Sequence, residues 1–322
     1  MRINPMPLRA AGAFSRPASA SLTGSPAGEP AAMPAVARVL PEREEAQALI
    51  ARLREHLARQ GDAGVRPSLV RRGARRDSVP WTLGLPDLDR FLPGEGLAGT
   101  GLHDISPAAY GDFPAACGFA LALAVRRLTD PREKRPVLWC RLETEQREYG
   151  HVFGHGVAAI GLPRARFLTL SLKRPVALLW TLEEALKSGC LSVVLGDVAA
   201  HTADLTATRR LALAGQAGGS AGLIVLTRYS MDSTASSSRW CIAASRSPPA
   251  ASDLRAPGLP AWQVALTRIR GGRPGSWTLN WQKDHAPSRF TLVSGLSGGA
   301  LHSGAAEEAG SRAAAKPALR AG

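Results

Sequence analysis

Residues 102–128 read LHDISPAAYGDFPAACGFALALAVRRL, and this stretch decides the fold. It predicts a short apolar strand over residues 103–106, a loop of small residues over 107–113 and an apolar helix over about 115–128. In α/β proteins a loop that leads from a strand into a helix often holds phosphate, because its N–H groups and the helix dipole favour an anion. The length of this loop suits a phosphate site, but its side chains do not.

The bulk composition indicates one folded domain with unstructured flanks. The chain has 322 residues, of which 45% are hydrophobic and 5% aromatic, enough for a real core. Its 40 lysines and arginines outnumber 26 acidic residues, for a net charge of +14. This excess favours polyanionic partners such as DNA, RNA or acidic protein surfaces, although genomic bias toward arginine explains it equally well. No apolar run is long enough for a membrane span, and we expect a cytoplasmic, nucleoid-associated protein.

The local composition and hydrophobic pattern of the chain predict five segments. Residues 1–40 and 295–322 are low in large apolar side chains and are expected to be disordered. Residues 41–61 predict an amphipathic helix whose apolar stripe packs on the domain or docks on a partner. Residues 62–80 form an arginine-rich linker, either solvated or in contact with phosphate, and residues 81–294 form the core. The stripe of the helix carries Leu49, Ile50, Leu53 and Leu57.

Short apolar strands alternate with helical patterns through the first part of the core. Strands are predicted over residues 135–140, 166–171, 191–197 and 222–227, with helices over 175–187 and 205–216 between the later strands. This alternation predicts an α/β fold with a mostly parallel sheet covered by helices on both faces. Ligands of such sheets bind at the carboxyl ends of the strands.

The last part of the core predicts an antiparallel extension of the sheet. Strands are predicted over residues 239–244, 262–270, 276–281 and 289–293, and the middle two read as a hairpin. This hairpin is the predicted contact surface for DNA or a protein, because arginines pair with phosphates and tryptophans stack on bases. The alternative is an edge hairpin with core tryptophans and solvated arginines. The residues concerned are Arg268, Arg270, Arg273, Trp277 and Trp281.

The order of these elements resembles the ATPase core of the RecA fold. The phosphate loop of RecA proteins reads Gly-Pro-Glu-Ser-Ser-Gly-Lys-Thr, whereas the matching residues 106–113 here read SPAAYGDF. Pro107 and Gly111 match, but Asp112 and Phe113 replace the Lys that neutralises phosphate and the Thr that holds Mg²⁺. A carboxylate about 4 Å from a phosphate charge costs roughly 4 kcal/mol at an effective dielectric near 20, or about three decades of affinity. We therefore expect no nucleotide cofactor.

Two acidic positions resemble further parts of the RecA site. Glu143 resembles the glutamate that positions the attacking water, and Asp197 resembles the Walker B carboxylate. Without a Lys and a Mg²⁺ ion neither acid has a substrate to act on, so no catalytic residue is expected. The alternative is that another basic residue, such as Arg126, reaches the loop and takes the place of the Lys. No metal is expected either, because His151 and His155 lack a third ligand.

A closer resemblance extends over about residues 80–281, through the segments GLPDLDRFLPGEGL, GLHDIS, GFALALAVRR, PVLWC, LWTLEEALKSG, VVLGD, LTATRRLALAGQAGG, SRWCIAA and RGGRPGSWTLNW. This resemblance is to the ImuA family of bacterial damage-induced mutagenesis. It implies a RecA-like accessory protein rather than an enzyme, acting in the SOS response and translesion DNA synthesis. The implied partners are ImuB, an inactive Y-family polymerase-like protein, and an error-prone DNA polymerase subunit, with RecA and DNA left open. The alternatives are an ATP- and DNA-dependent recombinase-like enzyme and a cell-division inhibitor resembling the SulA group.

Overall fold

The computed structural model describes residues 81–247, 258–282 and 288–294, together with Ala51 and Glu55. Ala51 and Glu55 are helical and exposed, and they fall inside the helix that the sequence predicts. The other predictions for the flanks therefore stay predictions. They concern residues 1–40, 62–80 and 295–322, the rest of 41–61, and the stripe of Leu49, Ile50, Leu53 and Leu57.

Strands and helices alternate through the first part of the described chain, as the sequence predicts. The strands are β1 Gly101–Pro107, β2 Val137–Leu142, β3 Phe167–Leu172, β4 Val193–Val198, β5 Ala221–Leu226 and β6 Ser238–Ala244. The helices are α1 Pro86–Asp89, α2 Phe113–Arg127, α3 Glu143–Tyr149, α4 Gly154–Ala159, α5 Pro175–Lys187 and α6 Leu205–Gly218. The predicted strands are confirmed with ends shifted by a few residues.

One sheet of nine strands holds the described chain together, in the order β3-β2-β4-β5-β1-β6-β7-β8-β9. The six strands from β3 to β6 in this order run parallel. The last three, β7 Ala261–Ile269, β8 Gly275–Gln282 and β9 Arg289–Ser294, are antiparallel, which confirms the predicted hairpin and its place in the sheet. The fold is the mostly parallel α/β sheet expected of a RecA-like core.

The parallel strands give the sheet two chemically distinct edges. We call the edge with their carboxyl ends the carboxyl edge and the edge with their amino ends the amino edge. Because β7 runs antiparallel to β6, the end of β7 lies beside the start of β6, with Ile269 opposite Ser238. The turn between β7 and β8, residues 270–274, therefore lies at the amino edge.

The central strands bury side chains on both faces of the sheet. In β4, Val193 and Leu195 belong to the apolar cluster that contains α2, whereas Val194 and Val198 belong to the cluster that contains α5 and α6. This period of two is the geometry of a strand covered on both faces. None of the described helices is both long and apolar enough to cross a membrane.

Helix α6 ends two residues later than the pattern predicts, because glycine lets its last turn approach α5. The prediction ends at Gln216, whereas α6 ends at Gly218. A Cβ on Gly218 would lie 1.9 Å from the carbonyl oxygen of Leu186, a distance that no side chain tolerates. Gly219 follows with a left-handed φ of 65°, the conformation that commonly stops a helix.

The polar run after β2 forms a helix that the sequence analysis did not predict. Strand β2 continues to Leu142, and residues 143–149 form α3. Among its residues Gln146 is the buried one. A helix with so little apolar surface has no apolar stripe, so the periodicity that reveals other helices is missing here.

Candidate functional site

The loop after β1 bonds its own carboxylate to backbone amides. Oδ2 of Asp112 accepts from the N–H of Ala109 at 3.1 Å, and Oδ1 accepts from the N–H of Ala244 at 2.8 Å. Backbone N–H groups of such a loop are the groups that hold a phosphate. Here one loop amide already has an anionic partner. The same carboxylate ties the loop to the end of β6.

The other positions of this loop contribute packing rather than ligands. Pro107 is buried at the end of β1, opposite Ile242 of β6. The ring of Phe113 is 0% exposed and its centre lies 4.7 Å from that of Tyr149 in α3. Gly111 is exposed, and a Cβ there would meet nothing within 4 Å. Neither Gly111 nor Phe113 has a side-chain group that can bind Mg²⁺.

Asp197, at the end of β4, is held by two donors from β2. Its Oδ1 accepts from Nε1 of Trp139 at 2.6 Å, and its Oδ2 accepts from Nε of Arg141 at 2.7 Å. Arg141 also donates from Nη1 to the carbonyl of Gly150 at 3.0 Å. Burial raises the pKa of Asp197, and Arg141 and Trp139 oppose that rise. Both carboxylate oxygens are thus engaged within the protein.

Glu143 and Glu145 occupy different surroundings on α3. Glu143 is half-buried; it lies 3.7 Å from Arg147, and its Oε1 is buried without a hydrogen-bond partner. Burial raises the pKa of Glu145, and the charge of Asp197 raises it further. Two nearby arginines, Arg141 and Arg228, lower it. Glu145 is therefore the acid of α3 that is coupled to Asp197. The sequence analysis missed it, since a surface helix without periodicity gave no reason to choose between the two.

Arg126 does not supply the missing cation of the loop. It lies in the last turn of α2, whereas Asp112 precedes the first turn. Its Nε donates to the carbonyl of Thr82 at 3.1 Å, and its Nη1 donates to the carbonyl of Ser288 at 3.1 Å. Burial lowers the pKa of Arg126, and the charge of Asp89 opposes the fall. The sequence alternative that placed Arg126 at the loop is wrong, because α2 separates the two positions by its whole length.

A cleft of about 720 Å³ opens at the carboxyl edge. Its walls come from the segments that follow β1, β2, β4 and β5, which is where open parallel sheets bind ligands. Glu145, Glu148 and Asp232 line it, and Arg228 is the arginine among the described lining residues. The cleft occupies the ligand edge of the fold, with more negative than positive side chains.

The predicted contact arginines lie at the amino edge, away from this cleft. Nη2 of Arg268 donates to the carbonyls of Thr234 and Ser236 at 3.0 and 3.1 Å. Burial and a neighbouring arginine lower the pKa of Arg268. Arg270 is exposed, and its Nη2 donates to the carbonyl of Ala235 at 3.1 Å. Both side chains support the segment between β5 and β6.

The remaining predicted contact residues lie on and after the turn of the hairpin. Arg273 is exposed, with its guanidinium 5.5 Å from the ring centre of Phe91. Trp277 is half-buried and meets the same ring edge-on at 5.1 Å. Trp281 is 1% exposed, and its Nε1 donates to the carbonyl of Ile160 at 2.9 Å. The indole of Trp281 lies in the core, while the contact role of the hairpin stays a prediction.

A buried carboxylate in β1 organises the segment between β5 and β6. Asp104 is 0% exposed and accepts hydrogen bonds from the hydroxyls of Thr234 and Ser236. Nη2 of Arg239 lies 3.3 Å from its Oδ2. A buried carboxylate is stable when donors surround it, as they do here. The sequence analysis missed this cluster, although a charge in the middle of an apolar strand was a usable signal.

No metal-ligand set occurs among the residues that the structure describes. No group of three or more His, Cys, Asp or Glu side chains comes together there. Nδ1 of His151 is hydrogen-bonded to Oε1 of Gln146 at 2.8 Å, and the ring of His155 lies 5.1 Å from that of Phe153.

The fold and the site define a class of protein: an α/β protein with a RecA-like sheet whose phosphate-loop position carries a bonded carboxylate. No family model matches the chain. The ImuA proteins of two Caulobacter vibrioides strains are each 34% identical to it over 252 residues, which is 74% of this chain and 98% of the relative. The chain belongs to the ImuA family, accessory proteins of damage-induced mutagenesis.

Among solved structures, SulA from Pseudomonas aeruginosa is similar to part of the chain. The two share 23% sequence identity with a TM-score of 0.31, over 39% of this chain and 97% of that one.

Proposed function

We propose that this protein is a non-catalytic adaptor in SOS-induced mutagenesis and translesion DNA synthesis. The observation that carries the proposal is the position of the Asp112 carboxylate, which is hydrogen-bonded to the N–H groups of Ala109 and Ala244. A bound phosphate would have to displace this side chain or lie beside its negative charge. Two like charges about 4 Å apart repel by roughly 4 kcal/mol at an effective dielectric near 20.

Asp197 supports the same proposal. The Walker B carboxylate, which Asp197 resembles, takes part in phosphoryl transfer by holding Mg²⁺. Here Arg141 and Trp139 each donate to one oxygen of Asp197, at 2.7 and 2.6 Å. A metal ion would have to replace a buried ion pair, which leaves Arg141 without its partner. The pair therefore favours a structural role for this acid.

Membership of the ImuA family supports a role beside a polymerase. The proposed partners are an ImuB-type protein, which resembles an inactive Y-family polymerase, and an error-prone DNA polymerase subunit. In this proposal the RecA-like core keeps its sheet as a rigid scaffold for protein contacts, and no step of the adaptor's work consumes nucleotide.

Calorimetry with MgATP, followed by a hydrolysis assay with and without single-stranded DNA, tests the absence of nucleotide chemistry. The expected result is no saturable binding and no hydrolysis above that of Asp197→Asn, which keeps a buried polar group of similar shape. Saturable binding, with hydrolysis that Asp197→Asn abolishes, contradicts the proposal and favours a recombinase-like ATPase.

Affinity capture from DNA-damaged cells tests the partners. An ImuB-type protein and a polymerase subunit are the expected prey, recovered equally by the wild-type chain and by Asp197→Asn. Capture of a cell-division protein in their place favours the division-inhibitor alternative.

Direct DNA contact is proposed for the exposed arginines of the hairpin. Arg270 and Arg273 lie at its turn and are exposed, and phosphate contacts make binding sensitive to salt. The Arg270→Ala/Arg273→Ala variant is expected to lose a salt-sensitive gel shift of single-stranded DNA. The matched control is Arg132→Ala/Arg147→Ala, which removes the same charge from exposed positions outside the hairpin. An equal loss in both variants would point to net charge rather than to the hairpin.

A further inference from the structure

The cleft at the carboxyl edge has a charge opposite to that of the whole chain. Glu145 and Glu148 lie one turn apart on α3, and Asp232, in the segment after β5, also lines the cleft. Arg228 and His201 are the described lining side chains that can carry a positive charge. The full chain carries a net charge of +14, so an acidic cleft is a local reversal rather than a consequence of composition.

Two acidic groups at this cleft have a raised pKa. Burial raises the pKa of Glu145, and Asp197 adds to the rise. Burial also raises the pKa of the Tyr149 hydroxyl, and the charges of Glu148 and Glu145 raise it further. A cation that enters the cleft would oppose both shifts, because an opposite charge stabilises the ionised form of an acid.

Exposed side chains of the cleft suit a peptide rather than an ion. Tyr110 is 55% exposed, Tyr229 is 47% exposed and Met231 is 79% exposed. The guanidinium of Arg228 already lies 5.8 Å from the ring centre of Tyr110, so this ring accepts a cation on its face. Tyrosine and methionine are also enriched where proteins bind one another, because they bury a large apolar area and adapt in shape.

The arginine-rich stretch before the core joins the domain far from this cleft. Trp81, where the described core begins, pairs with Leu97 just before β1, and the guanidinium of Arg127 at the end of α2 lies 6.0 Å from its ring. Both contacts place Trp81 at the amino edge. The cleft lies at the opposite edge, so the chain does not enter the described core beside it.

We propose that the carboxyl-edge cleft docks an extended basic segment of a partner protein. An Arg or Lys side chain of that segment lies against the ring of Tyr229 and pairs with Glu145 and Glu148. An adjacent apolar side chain of the segment covers Met231. This inference rests on the proposed function, since it takes the cleft to hold no nucleotide.

Selection of random displayed peptides of about 12 residues on the full chain tests the proposal. The selected peptides are expected to be enriched in Arg or Lys next to an apolar residue. A fluorescent copy of the best peptide is then titrated by anisotropy against the wild-type chain and against Glu145→Gln/Glu148→Gln. We expect the peptide to bind the double variant at least about tenfold more weakly than the wild type, because one charge-assisted hydrogen bond is lost. A peptide with citrulline in place of arginine should bind the wild type more weakly by the same factor.

The control variant is Asp87→Asn/Glu95→Gln, which removes the same charge from exposed positions at the amino edge and is expected to bind within about twofold of wild type. Circular dichroism and thermal melts confirm that each variant is folded. Unaltered peptide affinity in Glu145→Gln/Glu148→Gln overturns the proposal, as does selection of peptides without basic side chains.

The sign of the effect separates the rival occupants. An oligo(dT) probe that binds the cleft would bind more tightly to Glu145→Gln/Glu148→Gln than to wild type, and that result overturns the proposal in favour of nucleic acid. A synthetic peptide of residues 64–80 that outcompetes the selected peptide overturns it in favour of the arginine-rich stretch of this chain itself. Saturable ATP binding would refute the proposed function, whereas selected peptides without basic residues refute this inference alone.

Discussion

The two edges of the sheet differ in what their charged side chains do. At the amino edge, arginines bind carbonyl oxygens: Arg135 donates to Gly219 at 3.0 Å, and Arg166 donates to the carbonyls of Glu133 and Arg135 at 2.8 Å each. At the carboxyl edge, carboxylates line an open cleft. Parallel sheets usually present their ligand site at the carboxyl edge. This protein keeps that geometry while the charges there disfavour a phosphate.

Several arginines of the described core hold the fold together rather than facing solvent. Arg126, Arg141 and Arg268 each donate to backbone carbonyls within the protein. A net charge of +14 therefore overstates what a polyanion can contact. The exposed arginines of the hairpin turn are the better candidates for such a contact.

The largest expected effect concerns the buried pair at the carboxyl edge. Asp197→Ala leaves Arg141 buried without its partner, and we expect the free energy of unfolding to fall by about 3–5 kcal/mol in urea titrations. The matched variant Arg141→Met/Asp197→Leu removes both charges and is expected to regain most of that loss. If the double variant is as unstable as the single one, Asp197 has a further role that the ion pair does not explain.

A smaller loss is expected at the loop after β1. Asp112→Ala removes two hydrogen bonds to backbone amides, and we expect the free energy of unfolding to fall by about 1–2 kcal/mol. Asp112→Asn retains an amide oxygen as an acceptor and should lose about half as much. Equal stability of all three proteins in urea would mean that the carboxylate does not hold the loop.

The amino end of β1 predicts a dependence of stability on pH. Burial lowers the pKa of His103 below 6.5, against its hydrogen bond to the carbonyl of Ala98 and the charge of Asp104. The unfolded chain therefore takes up the proton first. The stability due to this histidine is present above pH 6.5 and is lost as the pH falls below it, by roughly 1.4 kcal/mol per pH unit until the folded pKa is reached.

Urea unfolding of wild type and His103→Gln at several pH values isolates this contribution, since both proteins share every other titrating group. The difference between them should shrink as the pH falls. A difference that is constant with pH would contradict the assignment.

The smallest effects are expected at the hairpin. Arg268→Ala removes hydrogen bonds to two carbonyls and should lower the free energy of unfolding by about 1 kcal/mol. Arg270→Ala changes an exposed side chain and should cost less than about 0.5 kcal/mol. Thermal melts of the two single variants measure the contrast. The opposite order would mean that Arg270, not Arg268, supports the segment between β5 and β6.

The elements that the sequence predicts well are those whose pattern is local. Helix α5 is observed over residues 175–187 as predicted, because Pro175 starts it and an apolar stripe runs along it. Helix α3 was missed because it has no apolar stripe. The antiparallel hairpin was predicted from its glycine-rich turn. The burial of Trp281 was not settled, because it depends on contacts with α4 and β9 that no local pattern encodes.

The candidate site was predictable only in part, for a related reason. The replacement of Lys and Thr by Asp112 and Phe113 is visible in the sequence. The partners of Asp112 and Asp197 are not: Ala244 and Arg141 lie 132 and 56 residues away along the chain. Ala244 lies in β6 and Arg141 in β2, whereas Asp112 follows β1 and Asp197 lies in β4. A contact between residues so far apart in the chain cannot be predicted from local sequence.

The sequence by itself determined the alternation of strands and helices, the antiparallel extension and the chemistry of the loop after β1, since each follows from neighbouring residues. Only the tertiary structure decided which donors reach each buried carboxylate, which arginines remain exposed and which edge carries the acidic cleft. The physical reason is that a sheet places side chains side by side from strands that are far apart in the chain. The charge at each edge is therefore the sum of the charged side chains that these separate strands and their loops bring there.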